Sequence, residues 1–388
     1  MPDFRSPPPQ PTETLPNLYP TGDTPATPAL LRVIGEKIAS CGPISFPEFM
    51  SLALYHPEYG YYAKDLRQVG REGDFFTSVS VGPLFGRILA RRFIAWWEEN
   101  QQPSPWRVIE VGAHDGTLAA DILTEISSIS PAAFSALEYA IPEPLPRLQA
   151  AQRAKLAPWG NVRFVASAGD LAAAPLPGIA FGNEVLDALP FEIIGRAGGI
   201  WHEYLVAQEG GKFAMTQGPP YPHGPAGDFP DGYLTEIRRD YGEFFRPFLS
   251  ALRHGLLLWF DYGYDHEAYY HPARTTGTLR TFSKHRAGEN PFIAPGDEDI
   301  TAHVDFTAAA DAAIALGCRI NSMKTQSAWL TEAAREFLLS MEGRPDASLL
   351  RQFQSLTHPG QLGTRFHVLD FSWNPEPEPL QPGGLKSP

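Results

Sequence analysis

Two carboxylates, Glu184 and Asp187, follow a short apolar run at residues 179–182. Such a run predicts a buried strand, and if a helix begins directly after it, positions i and i+3 share one face. The carboxyl end of a central strand is where open α/β sheets bind ligands. The pair is therefore a candidate for orienting a basic group and accepting its proton. A helix-start carboxylate with an exposed neighbour explains the same pattern equally well.

A glycine turn lies within residues 107–118. Apolar residues at 108, 109 and 111 predict a strand, and Gly112 and Gly116 permit a tight turn after it. Thr117 is a candidate cap for the helix that follows. A strand, a glycine turn and a helix N-terminus direct backbone amides at a nucleotide-like ligand. Packing alone can also require two glycines in such a turn.

Further acidic residues stand where other predicted strands end. Glu143 follows a strand at 137–141, at the distance from the glycine turn where an acid accepts hydrogen bonds from a ribose. A carboxylate stabilising a helix N-terminus is the alternative for Glu143. Asp170 is a candidate for an adenine amino group or an ordinary surface carboxylate. Asp261 and Tyr262 end a strongly apolar fifth strand at 255–263, on the same edge of the sheet.

The composition excludes several classes of protein. The chain has 388 residues, 43% of them hydrophobic, so it forms a globular protein and not a disordered one. A formal charge of −13 argues against nucleic-acid or anionic-membrane binding and favours a cationic partner. Cys41 and Cys318 are too few for a disulfide framework. The sequence contains no run of 18 apolar residues, so we expect no membrane-spanning helix. The sequence leaves the oligomeric state open.

The predicted organisation has four parts. Residues 1–27 form a proline-rich disordered tail and residues 28–100 a helical region, in which the tyrosines at 59–62 pack and residues 73–78 form either a turn or a lid. Residues 101–374 form the core. It carries insertions of short strands at 191–231 and a long loop at 264–305, with a helix at 233–252 between them and a helical segment at 329–355 later. Residues 375–388 form a second disordered tail.

The glycine turn also discriminates between cofactors. A dinucleotide-binding turn has a second glycine that admits the pyrophosphate, and here that position is His114. A ligand without a pyrophosphate, such as S-adenosylmethionine, is tolerated. The sequence contains no P-loop lysine, no paired Cys/His metal spacing and no G-x-S-x-G elbow, so we expect no metal site.

Seven ordered segments together resemble the MidA family of class I S-adenosylmethionine-dependent methyltransferases, which is related to the mitochondrial arginine methyltransferase that assists complex I assembly. They are 59–62 (YGYY), 73–77 (GDFFT), 110–118 (EVGAHDGTL), 183–190 (NEVLDALP), 261–263 (DYG), 277–280 (GTLR) and 299–306 (DITAHVDF). The resemblance spans roughly residues 30–370. The chain departs from the family at His114, where a glycine is usual, and at residues 79–82 (VSVG), where the family has Pro-Glu-(Ile/Val)-Ser.

The resemblance implies a Rossmann-like, seven-stranded mixed sheet that binds S-adenosylmethionine. With the adenine candidate included, the residues assigned to the cofactor are Gly73, Asp74, Phe75, Thr77, Glu110, Gly112, Ala113, Gly116, Thr117, Glu143, Asp170 and Asn183.

The predicted reaction is methylation of an arginine on a partner protein, which the resemblance suggests is a respiratory-complex subunit. An arginine stays protonated in proteins, so its nitrogen becomes nucleophilic only if carboxylates orient it and take up charge. Glu184 and Asp187 are the first candidates for that role, and Asp261, Tyr262 and His285 the second. The alternatives are a cofactor-binding assembly or scaffold protein with little turnover, and a methyltransferase for small molecules.

The N-terminal residues are proline-rich and lack the arginine-rich composition of a transit peptide. We therefore expect a bacterial-type cytoplasm and not the mitochondrial matrix.

Overall fold

The computed structural model describes residues 28–64, 77–283, 286–341, 343 and 346–375. The helices are α1 (Pro28–Cys41), α2 (Phe46–Tyr55), α3 (Leu84–Glu99), α4 (Thr117–Ile129), α5 (Pro131–Ala136), α6 (Pro146–Leu156), α7 (Tyr241–Ala251), α8 (His266–Tyr269), α9 (Phe306–Ala315), α10 (Gln326–Ala333), α11 (Arg335–Ser340) and α12 (Ala347–Thr357). The strands are β1 (Ile44–Ser45), β2 (Trp106–Val111), β3 (Leu137–Pro142), β4 (Val162–Val165), β5 (Leu176–Asn183), β6 (Glu192–Ala197), β7 (Ile200–Glu209), β8 (Lys212–Pro220), β9 (Leu234–Ile237), β10 (Leu252–Tyr264), β11 (Arg280–Ser283), β12 (Arg286–Gly288), β13 (Asp299–Thr301), β14 (Val304–Asp305), β15 (Arg319–Thr325) and β16 (Phe366–Trp373).

The central sheet has the strand order β15-β16-β10-β5-β2-β3-β4, and the short β14 pairs beside the end of β10. β4, β3, β2, β5 and β10 are parallel to one another, whereas β16 runs antiparallel between β10 and β15. The predicted seven-stranded mixed sheet is therefore confirmed. The carboxyl ends of β2, β3, β5 and β10 meet at one edge, where parallel α/β sheets bind ligands.

Both faces of this sheet are covered by helices, and neighbouring residues of a strand alternate between the two cores. Val108 of β2 joins the core that contains α3 and α4, while Ile109 joins the core that contains α7 and α9. In β10, Leu258 joins the first of these cores and Trp259 the second. Burial on both sides explains why these strands read as continuous apolar runs.

A second sheet, ordered β1-β7-β6-β9 with β8 beside β7, lies outside the central one. Its strands β6, β7 and β8 confirm the short strands predicted within 191–231. Helices α1 and α2 pack on this sheet in a shared apolar cluster. The helical N-terminal region and the insertion thus share one core, and the domain boundaries given above stay a prediction.

Three predicted elements are wrong in part. The helix expected at 233–252 begins only at Tyr241, because residues 234–237 pair with β6 as strand β9. The loop expected at 264–305 contains α8 and a three-stranded sheet, β12-β11-β13. The helical segment expected at 329–355 is divided into α10, α11 and α12. In each case pairing or packing with distant residues overrides the local pattern.

No helix in the described ranges is long and apolar enough to cross a membrane. The tail at 1–27 and almost all of the tail at 375–388 lie outside the described residues.

Candidate active site

The glycine turn after β2 has a left-handed backbone at three positions. Gly112 has a φ of +67°, His114 of +46° and Gly116 of +83°. Glycine adopts such angles freely, whereas a residue with a Cβ atom does so at a cost. Thr117 is not the cap that the sequence predicted: it is the first residue of α4, and its N–H donates to Asp115 Oδ1 at 2.9 Å.

Gly112 also lies in close contact with the segment after β5. A Cβ atom at Gly112 would be 2.8 Å from Val185 Cγ2, closer than side-chain carbons approach one another. The glycine turn is therefore packed directly against the segment that carries Glu184 and Asp187. Ala113, next in the turn, is buried.

Glu110 of β2, two residues before Gly112, is buried. Its Oε2 accepts a hydrogen bond from the hydroxyl of Tyr139 in β3 at 2.6 Å. Burial raises the pKa of Glu110 to about 8, although the Tyr139 hydrogen bond acts in the opposite direction.

Glu143, at the end of β3, is a buried and fully oriented carboxylate. Oε1 accepts from the Leu145 N–H at 2.9 Å and Oε2 from Gln152 Nε2 at 3.0 Å. Gln152 also donates to the backbone oxygen of His114 at 2.9 Å, so it joins the acid to the glycine turn. Gln152 was not predicted from the sequence, because a lone glutamine within a helix gives no signal.

Asp170 has a local structural role. Its Oδ2 accepts from the Ser167 N–H at 3.0 Å, and the Ser167 hydroxyl accepts from the Gly169 N–H, which together form a capping box. The structure shows this use of the Asp170 carboxylate and leaves its adenine contact a prediction.

The segment 184–189, which we call the carboxylate loop, is a turn and does not begin the helix considered above. Glu184 has a φ of +56°, a strained angle of the kind that is concentrated at functional sites. Asn183 Nδ2 donates to Glu184 Oε1 at 2.9 Å. Glu184 and Asp187 are therefore placed by loop geometry and not by helical spacing.

Asp261 holds this loop from within the sheet. It is fully buried, and its Oδ2 accepts the N–H groups of Val185, Leu186 and Asp187 at 3.1, 2.8 and 3.2 Å. Because its oxygen is occupied by backbone amides, the Asp261 carboxylate positions the loop. Burial and the charge of Asp187 raise its pKa well above the usual range.

Asp187 and Glu184 are the two carboxylates of the loop. The hydroxyl of Tyr262 donates to Asp187 Oδ2 at 2.5 Å. Burial raises the pKa of Asp187, and burial together with the nearby charge of Asp187 raises the pKa of Glu184 to about 8. Across the described ranges, no lysine or arginine side chain forms an ion pair with either carboxylate within 4.0 Å.

Two tyrosines of the N-terminal region, Tyr55 and Tyr62, lie beside this loop. The Tyr55 hydroxyl donates to the backbone oxygen of Ala188 at 2.8 Å, and the Tyr62 hydroxyl donates to Asp299 Oδ1 at 3.0 Å. The two rings stack with centroids 5.4 Å apart. Tyr62 belongs to the tyrosine group expected only to pack, and Asp299 brings a third carboxylate from β13 to the site.

Arg238 is a second residue that the sequence did not reveal. Its buried guanidinium donates to four backbone oxygens: Leu189 at 3.0 Å, His303 at 2.7 Å, Ala302 at 2.9 Å, and Asp187. The cation thus holds the carbonyl side of the carboxylate loop, while Asp261 holds its amide side.

Four predicted site residues, Gly73, Asp74, Phe75 and His285, lie outside the described residues. Thr77 is buried at the start of a described segment. The next residue, Ser78, directs its backbone amide at Glu184, which favours the ionised carboxylate. This end of segment 73–78 therefore reaches the carboxylate loop.

The edge of the sheet fits S-adenosylmethionine. The turn has the left-handed backbone angles and the place before a helix N-terminus that are typical of nucleotide-binding turns, and Glu143 after β3 stays the predicted ribose acceptor. Two buried oxygens, Gln152 Oε1 and Asn183 Oδ1, accept no hydrogen bond from the described part of the chain. The adenine amino, ribose hydroxyl and ammonium groups of the cofactor are donors that such oxygens can accept.

A parallel sheet with one inserted antiparallel strand, a glycine turn after its first core strand and an acid after the second define a class I methyltransferase. The family model for S-adenosyl-L-methionine-dependent methyltransferases matches residues 88–323, more than half of the chain. The chain therefore belongs to this family, and it is a methyltransferase with S-adenosylmethionine as its cofactor.

Known proteins resemble the chain over most of its length. A protein from Burkholderia thailandensis, whose crystal structure contains S-adenosyl-homocysteine, is 30% identical with a TM-score of 0.78, covering 89% of this chain and 92% of that one. Protein arginine methyltransferase NDUFAF7, mitochondrial, from Homo sapiens is 28% identical over 89% of this chain and 83% of its own length. The homologue from Drosophila melanogaster is 26% identical over 88% and 84%.

These curated relatives are mitochondrial proteins, as is the Danio rerio relative. The expected cytoplasmic location is therefore wrong. The expectation rested on the composition of the N-terminal residues, and composition is a weak predictor of a targeting signal.

Proposed function

We propose that the protein transfers a methyl group from S-adenosylmethionine to a guanidinium nitrogen of an arginine on a partner protein. The observation that carries the proposal is the pair Glu184 and Asp187, of which Asp187 is buried and Glu184 partly exposed. Neither carboxylate forms an ion pair with a described lysine or arginine, and the nearby Arg238, whose charge lowers the pKa of Asp187, donates its hydrogen bonds to backbone oxygens instead. Burying a charge is costly unless it is paired, so the site favours a ligand that brings positive charge.

A guanidinium fits this need better than a compact ammonium. It is planar and presents several N–H groups in a fixed fork, so it can bind two carboxylates at once. The stacked rings of Tyr55 and Tyr62 supply aromatic surface beside the carboxylates, and aromatic surface also attracts cations. The names of the human and fly relatives, which are protein arginine methyltransferases, support the same acceptor.

The reaction needs a nitrogen lone pair directed at the methyl group. Glu184 and Asp187 orient the guanidinium, and one of them accepts the proton that the nitrogen loses as its bond to carbon forms. The cofactor supplies the methyl group and leaves as S-adenosyl-homocysteine. The product guanidinium keeps one positive charge, so the atoms and charges balance without another reactant.

The test incubates the protein with methyl-labelled S-adenosylmethionine and a lysate of its own host. We expect label in methylarginine after acid hydrolysis of a protein band, and loss of that label with Glu184→Gln. Glu332→Gln is the matched control, because Glu332 is an exposed residue of α10 paired with Lys324. Cofactor binding without protein label would favour a scaffold role, and label confined to small molecules would favour a different acceptor. Either result contradicts the proposal.

A further inference from the structure

A groove of about 320 Å³ lies beside the carboxylate loop, between α2 and the start of α7. Its apolar lining comes from Pro47, Leu189, Pro190 and Phe244. Leu189 ends the carboxylate loop, so the groove begins where that loop ends. Neither carboxylate of that loop lines the groove.

One exposed face of α2 connects the groove to the active site. Glu48 and Ser51 line the groove, and Tyr55 follows them on the same helical face. The opposite face of α2 is buried in the N-terminal core. Because an α-helix rises 1.5 Å per residue, the distance along α2 from Glu48 to Tyr55 is about 10 Å. An extended chain covers that distance in about three residues.

The rim of the groove is acidic. Asp240 and Glu243 stand at the start of α7, and the Asp240 side chain does not cap the helix. Glu243 is exposed and meets Arg246 only at 4.0 Å. Glu48, on the other side, is paired with Lys37 at 2.9 Å. The charge that is available to a ligand therefore comes from Asp240 and Glu243.

Arg238 also lines the groove, and its positive charge must be considered. Its guanidinium is buried and donates to the backbone oxygens of Leu189, His303, Ala302 and Asp187. These hydrogen bonds direct its N–H groups away from the rim and into the loops. The rim thus keeps its negative character.

We propose that this groove binds the segment of the acceptor protein next to the target arginine, and that the segment carries a basic residue about three positions from that arginine. The inference rests on the proposed arginine methylation. An apolar floor holds the segment's side chains, and the acidic rim selects its charge. The groove therefore determines which arginines reach the carboxylate loop.

The experiment measures binding of fluorescent peptides by anisotropy in the presence of S-adenosyl-homocysteine. Each peptide has a single central arginine and either lysine or glutamate three residues before or after it. For one of the two placements, we expect the wild-type protein to bind the lysine peptide roughly fivefold more tightly at low salt. That preference should fall as salt screens the rim.

The double variant Asp240→Lys with Glu243→Lys should reverse the preference. Its matched control is Glu98→Lys with Glu99→Lys, which changes the net charge equally on exposed residues at the far end of α3. The control should keep the wild-type preference. Equal binding of the two peptides, or the same preference in the groove variant as in the wild type, overturns the proposal.

Failure of the groove proposal and failure of the proposed function give different results. If the wild type labels arginine and the groove variant labels the lysine peptide with unchanged KM, the groove is not the docking site. If no arginine is labelled in any protein or peptide, the proposed function fails whatever the binding preference.

Discussion

Replacing Glu184 by glutamine should abolish most of the methyl transfer without damaging the fold. Glutamine keeps the side-chain shape and can still accept the hydrogen bond from Asn183 Nδ2. It cannot carry a negative charge or take up a proton. Loss of a general base typically lowers the rate by a factor of about 10² to 10⁴, and we expect a decrease in this range.

The magnitude follows from the burial of Glu184. Burial raises the pKa of Glu184 from 4.5 to about 8. A shift of this size corresponds to a cost of at most ~5 kcal/mol for ionising Glu184 in the folded protein without a ligand. The cost is smaller than this limit because the side chain is partly exposed. A bound guanidinium removes most of this cost. The kcat/KM for the acceptor should therefore rise with pH and level off at or below pH 8, and Glu184→Gln should lack this rise.

The assay is the initial rate of label transfer to the acceptor between pH 6 and 9, at saturating cofactor and low acceptor concentration. Thermal unfolding of the free protein supplies the control for folding. The folded state keeps the Glu184 proton up to about pH 8 and the unfolded state only to about 4.5. Stability is therefore lost as pH rises between these values, and Glu184→Gln should have the higher Tm above pH 8.

Two results would refute this reasoning. Retention of more than a tenth of the wild-type kcat/KM in Glu184→Gln would mean that Asp187 or another group accepts the proton. An unchanged rise with pH in the variant would mean that the rise belongs to a different residue.

Three further predictions concern the cofactor edge and the tyrosines. Glu110→Gln should raise the Tm relative to wild type above pH 8 and leave it unchanged near pH 5, because burial raises the pKa of Glu110 to about 8; unfolding scans at both pH values check this. His114→Gly should stabilise the protein by about 1 kcal/mol in denaturant titrations, since it relieves a left-handed φ of +46°; a loss of stability would contradict this. Tyr262→Phe removes the hydrogen bond that lowers the pKa of Asp187, so the pH–rate profile should shift to higher pH, and an unshifted profile would show that Asp187 does not titrate in the reaction.

The sequence predicted the central sheet well because the signal is local. Strands buried on both faces are largely apolar, and residues 179–182 and 255–260, together with Val108, Ile109 and Val111, show this pattern without reference to any partner. The glycine turn was equally visible, because a left-handed backbone after a strand requires glycine at most of its positions. The strands of the insertion were predicted from a different local signal, the short alternating segments within residues 191–231.

The elements that failed depend on distant partners. Residues 234–237 fit a helical pattern with α7 and became β9 because β6 offers a pairing edge. The small sheet β12-β11-β13 consists of strands of three or four residues, which are too short to have a recognisable period.

For the site, the sequence by itself predicted the candidate residues: Glu184 and Asp187 after β5, Glu143 after β3, and Gly112 and Gly116 in the turn. Only the tertiary structure decided how they are placed and held. Asp261 accepts hydrogen bonds from three amides, and Arg238 donates to four carbonyls, in each case across dozens of positions in the sequence. These contacts accompany the left-handed backbone of Glu184. Burial by those contacts raises the pKa of Glu184, and no local pattern of residues encodes burial of that kind.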